Sequence, residues 1–118
     1  MLFRSHGMQV VEVIKRLGLP GMEPVVEAEA ILKAELVDTL GVCEVAGAGA
    51  MLRTLAPNCW AIVTSAPRAL ALRRLEVSRL PAPTVLITAE DVPRGKPDPS
   101  CYHLAASRMH RQIGRAHV

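Results

Sequence analysis

The sequence predicts an α/β fold, with parallel strands alternating with helices and a separate helical pair ahead of them. Three observations carry this. Trp60–Val63 and Val85–Ile87 are short, almost wholly apolar runs with β-branched residues, the pattern of strands buried on both faces of a parallel sheet. A segment of helical spacing follows each run, after Pro67 and from Ser100, so the order is strand, helix, strand, helix. The crossover between the strands is expected to be right-handed. Ahead of both runs lie two helical segments with no strand between them.

In the first segment, Met8 to Leu17, Val10, Val13, Ile14 and Leu17 share one face, with Glu12, Lys15 and Arg16 opposite. Gly18 and Pro20-Gly21 end it. A second helix is predicted from about Glu23 to Leu40. Pro24 suits its first turn, Glu23, Glu27 and Glu29 suit its positive end, and Gly41 stops it. The two form an antiparallel pair. Ala46 to Ala50 is small and flexible, a short helix follows around Met51 to Leu55, and Pro57-Asn58 marks a turn. The helix after Pro67 turns Leu70, Leu75 and Val77 inward and Arg68, Arg73 and Arg74 mostly outward. Pro81 and Pro83 lead into the second strand. A Pro- and Gly-rich loop, Asp91 to Pro99, separates that strand from a last helix, Ser100 to His110.

With 118 residues there is room for one modest domain or pieces of two. A 50% hydrophobic and 21% charged composition excludes a disordered chain. Phe3, Trp60 and Tyr102 are the only aromatics, so the core must be aliphatic. A net charge of +3, spread over scattered arginines without interleaved aromatics, argues against nucleic acid as a partner. No apolar run approaches the roughly 20 residues of a membrane span. Cys43, Cys59 and Cys101 are odd in number and unrelated in spacing. They predict buried free thiols in a reducing cytoplasm rather than disulfides or a zinc site. Oligomeric state is left open.

Ligands of a parallel α/β sheet bind beyond the carboxyl ends of its strands. Here those ends carry Thr64-Ser65 and Thr88, with Lys96 in the following loop. A hydroxyl and backbone N–H groups at a helix mouth form an anion site, and a lysine adds a full positive charge. Together they suit a phosphate. Taken singly, Thr64 would cap the next helix and Lys96 would be a solvated surface residue; the Gly95-Lys96-Pro97 setting distinguishes them. Asp91 either orders the Lys96 loop through an ion pair or caps a turn. His103, His110 and the cysteines are assigned to packing or surface roles.

Ile62-Val63-Thr64-Ser65, then Thr88-Ala89-Glu90-Asp91 and Arg94-Gly95-Lys96-Pro97-Asp98-Pro99, closely resemble the haloacid dehalogenase (HAD) superfamily. The likeness is to its sugar-phosphate phosphatase and β-phosphoglucomutase-like branch, over about residues 3 to 110. It implies a partial HAD-like Rossmannoid core plus part of an α-helical cap: residues 1–45 cap, 46–112 core. In the family the second motif is a Ser/Thr closing a strand, matched by Thr64, and the third a lysine, matched by Lys96. The resemblance further implies that Ser65 and Ala66 help bind substrate. His6, Gly7 and Gln9 would reach it from the cap, and Ala46 to Ala50 would be the return hinge. Family members form an aspartyl-phosphate with Mg²⁺ bridging, on a small-molecule phosphate ester.

Two family features have no counterpart. The nucleophile lies in an Asp-x-Asp motif, whereas the aspartates here are Asp38, Asp91 and Asp98. The acidic fourth motif, which helps hold Mg²⁺, is also missing. Residues 113–118 resemble one reading frame of a sequencing-library adapter and are expected to be an artefactual tail. The expectation is therefore a fragment of a Mg²⁺-dependent sugar-phosphate phosphatase, inactive alone, with a mutase as a variant of the same chemistry. The alternative is a short non-catalytic protein that binds phosphate or a partner.

Overall fold

The computed structural model describes residues 7–116, with side chains through residue 111. Its elements run α1 (Val10–Leu17), α2 (Pro24–Val37), α3 (Ala48–Arg53), β1 (Ala61–Val63), α4 (Arg68–Val77), β2 (Val85–Ile87) and α5 (Ser100–Ala116), with a 3₁₀ turn at Ala89–Asp91. The fold is mixed α/β, as expected. The strands are parallel, in register Ala61–Val85, Ile62–Leu86 and Val63–Ile87.

α1 and α2 pack on each other. Ile14 is the buried residue of α1, and Gly18 closes the helix in the left-handed region at φ 60°, where an L side chain would be strained. Leu17, expected on the face of Val10, Val13 and Ile14, is the last residue of the helix and is 49% exposed. α2 begins with Pro24 in its first turn and ends where the Asp38 carboxylate accepts the Leu40 N–H at 3.2 Å. No residue of α2 is buried, and Val25, Val26, Ile31 and Val37 are exposed.

α3 starts at Ala48, three residues before the expected position. The cause is the Glu44 carboxylate, which accepts the Gly49 N–H at 2.7 Å and so caps the first turn. Three of the five residues of the expected Ala46–Ala50 hinge are therefore helix.

The core lies between the sheet and α5. Val85, Ile87, Cys101 and Ala105 form its centre, with Ala61, Val63, Val92, Leu104 and Met109 packed around them. Cys101, Ala105 and Met109 recur every four residues, one stripe of α5 laid on the sheet. β2 is buried throughout, as its apolar run predicts, but β1 is half-buried along its length. Its apolar run predicts two covered faces; β2 is its only partner strand among the described residues. Only Cys101 is buried among the cysteines, while Cys43 and Cys59 are exposed free thiols. α5 runs on through residues 113–116, beyond the predicted end at His110.

Candidate functional site

β1 delivers Thr64 to the carboxyl end of the sheet, and the ladder extends one step further through Thr64 N–H to the Ile87 carbonyl at 2.9 Å. The Thr64 hydroxyl oxygen accepts the Ala66 N–H at 3.1 Å, curling the chain at Ser65-Ala66 into a tight turn. Because the oxygen is the acceptor in that bond, its own proton is left to donate elsewhere. Lys96 crosses 33 residues of sequence to donate to the Val63 carbonyl at 2.9 Å. Its ammonium also sits 5.4 Å from the centre of the Tyr102 ring. A lysine has three N–H donors, so two remain after the Val63 bond.

The segment before α1 is tied to the same place. The Ser65 hydroxyl donates to the Gly7 carbonyl, and Gln9 Nε2 donates to the Ala89 carbonyl at 3.2 Å. Gly7, Thr64, Ser65, Ala66 and Lys96 thus line one cleft of about 290 Å³. Gln9 braces it from outside against the loop after β2. His6 lies outside the described residues.

The donor set differs in detail from the one expected. The mouth of α4 is not open to a ligand: both oxygens of the Glu90 carboxylate accept the Arg68 N–H at 3.0 Å. The chain thereby supplies its own anion to that helix end. The Ala66 N–H is spent on Thr64 and the Ser65 hydroxyl on Gly7. Among the cleft-lining residues Thr64, Ser65, Ala66 and the Lys96 side chain, the donors left unused are the Thr64 hydroxyl proton, two of the Lys96 N–H groups and the Ser65 N–H, which meets no acceptor among the described residues.

Of the two roles open to Asp91, the structure shows the turn cap. Its carboxylate accepts Thr88 N–H at 2.8 Å and Thr88 Oγ1–H at 3.1 Å, closing a capping box over the 3₁₀ turn. Its ion-pair partners are Arg108 at 3.7 Å and Arg68 at 4.0 Å rather than Lys96. The Thr88 N–H is the main cause that holds the Asp91 carboxyl below the usual carboxylate range, with the two arginines adding to it.

Arg74, expected on the outward face of its helix, and Glu35, which the sequence did not single out, also line the cleft. They form an ion pair at 2.7 Å that ties α4 to α2. Arg74 lies four residues beyond the buried Leu70 on one face of α4, a spacing that could have flagged it.

The residues present do not fit a Mg²⁺ site. Among the described residues no three His, Cys, Asp or Glu side chains gather to hold a metal, and the Asp91 carboxylate is taken by Thr88 and two arginines. No helix among them is long and apolar enough to cross a membrane.

No family model matches the chain. It is 38% identical over 108 residues to hexitol phosphatase A of Escherichia coli (strain K12), covering 88% of this chain and 50% of that protein. It is 33% identical over 136 residues to validoxylamine A 7'-phosphate phosphatase of Streptomyces hygroscopicus subsp. limoneus, covering 99% of this chain and 64% of that protein. The chain thus spans about half the length of the first relative and under two thirds of the second. With the motifs around Thr64 and Lys96 brought to one cleft and these relatives aligned over most of its length, the chain is a homologue of these two phosphatases.

Proposed function

We propose that this chain holds the phosphoryl group of a sugar phosphate, as the phosphate-binding portion of a sugar-phosphate phosphatase. One observation carries the reading: the Lys96 ammonium is docked on the Val63 carbonyl, one residue before Thr64. It places a full positive charge and a hydroxyl donor at the same strand end. Phosphoryl transfer asks a protein chiefly for positioning and for neutralisation of charge on the phosphoryl oxygens. Lys96 supplies the charge, and Thr64 and the Ser65 N–H supply directed hydrogen bonds. That both relatives are named as phosphatases supports a small phosphate ester as the ligand.

The α1–α2 pair acts as a cap over this cleft, held down by the Ser65–Gly7, Gln9–Ala89 and Glu35–Arg74 contacts. Hydrolysis through an aspartyl-phosphate needs an Asp-x-Asp nucleophile, which this sequence does not contain. We therefore assign the chain alone binding without turnover, and place the nucleophile and Mg²⁺ chemistry expected of the family outside it. The free thiols support a reducing, cytoplasmic setting. Titration with inorganic phosphate, followed through backbone amide shifts, tests the reading. Shifts should concentrate at Thr64, Ser65 and Lys96; their absence at saturating phosphate would remove it.

A further inference from the structure

Tyr102 stands beside Lys96 without serving the core. It is 55% exposed and lies outside the cluster formed by Val85, Ile87, Cys101 and Ala105. Its position is nevertheless fixed. It belongs to the first turn of α5, where the Asp98 carboxylate accepts the Ser100 N–H at 2.9 Å and the Tyr102 N–H donates to the Pro99 carbonyl at 3.0 Å. Its neighbour Cys101 is 2% exposed in the core, which sets the rotation of α5 about its axis. That setting brings the Tyr102 ring centre to 5.4 Å from the Lys96 ammonium. The distance is within the roughly 6 Å over which a ring face attracts a cation.

Lys96 is thereby held by two elements. The end of β1 accepts one N–H through the Val63 carbonyl at 2.9 Å, and α5 supplies the ring. A lysine stem is rich in rotamers, and a ligand that had to freeze it would lose that entropy from its affinity. One hydrogen bond leaves the stem free to pivot; a second restraint from a different element removes that freedom. A carboxylate in the place of the ring would have cancelled the charge. The ring instead attracts the charge as a whole, so the two N–H groups not used by Val63 remain for a ligand. We infer that Tyr102 is a positioning residue, which acts through Lys96 and holds its ammonium in the pose that meets a phosphoryl group. This rests on the phosphate reading above and extends it to a side chain that does not line the cleft.

Titration of the full chain with inorganic phosphate, followed through backbone amide shifts, tests it. Tyr102→Leu removes the ring and should weaken binding about two- to fivefold, the worth of a cation–π contact at an exposed site. Tyr102→Phe keeps the ring and should bind as the wild type does. In a Lys96→Ala background Tyr102→Leu should change nothing, a result that a purely structural role of the ring would not give. The Lys96 ε-methylene protons carry a separate signature. The ring current displaces them in the wild type and in Tyr102→Phe, and Tyr102→Leu should release them. Tyr102 is exposed, so its replacement leaves the fold in place. Binding that is unchanged in Tyr102→Leu, or that weakens equally with Lys96 removed, overturns the positioning role and leaves the phosphate reading standing. A Tyr102→Phe variant as weak as Tyr102→Leu, or undisplaced ε-methylene protons in the wild type, does the same. If the wild type binds no phosphate, both readings fall together.

Discussion

Replacing Asp91 with alanine should weaken the α/β unit more than any other single change at an ionisable residue. The carboxylate accepts two hydrogen bonds from Thr88 and faces Arg108 and Arg68, with its side chain only 20% exposed. Loss of a cap of this kind costs about 1 kcal/mol. Thr88 is 1% exposed, so its hydroxyl would be left buried without its acceptor, at a further cost of about 1 to 2 kcal/mol. The two ion pairs have arginines 39% and 51% exposed and add only a few tenths after solvent screening. The sum is about 2 to 3 kcal/mol, which for a chain of this length lowers the melting temperature by about 10 °C. The effect carries a pH signature. The folded-state pKa lies below the unfolded value of about 4, so this stability is fully present above that value and fades as pH falls through the folded one. Thermal melts followed by circular dichroism at pH 7 and below pH 4 should show the wild type and Asp91→Ala converging in acid. A variant that melts within a degree of wild type at pH 7 would refute the reasoning.

Three further outcomes follow from particular contacts. A Cβ on Gly95 would come within 2.7 Å of Gln9 Cγ, so Gly95→Ala should displace Gln9, break its bond to Ala89 and lower stability by about 1 kcal/mol. The same change in a Gln9→Ala background should cost much less, which a double-mutant cycle by denaturant unfolding would measure. Ile87 is fully buried at the centre of the core, and Ile87→Ala should cost about 2 to 5 kcal/mol in the same assay. Arg74→Ala should change stability by under about 0.5 kcal/mol despite the 2.7 Å ion pair, because the arginine is 48% exposed; a larger loss would show that solvent screens the pair less than its exposure implies.

The elements written in local pattern were legible in the sequence. β2 appears at its predicted position because three apolar residues between a proline loop and Thr88 admit little else. Pro24 and Gly18 mark helix ends for reasons confined to their own backbone. The Thr88–Asp91 box has the spacing of a capping motif, yet the sequence left Asp91 open between cap and ion pair. What could not be read was set by distant partners. The half-exposure of β1 depends on what lies beside it in space. Glu90 filling the mouth of α4 is a contact across 22 residues, and Glu35 meeting Arg74 spans 39. Thr64 and Lys96 were identified as a pair by motif, and the bond to Val63 that joins them emerges only in three dimensions.

On the proposed function, Thr64 and Lys96 form one phosphate cradle. Its most direct test is the affinity of the full chain for inorganic phosphate by calorimetry at about 0.15 M salt, where distant charges are screened. Lys96→Ala removes a charge-assisted hydrogen bond of about 1.5 to 3 kcal/mol, and should weaken binding by about 10- to 100-fold. Thr64→Val should weaken it by about fivefold, the loss of one neutral donor. Wild-type affinity in the Lys96→Ala variant would show that Lys96 does not hold the phosphate.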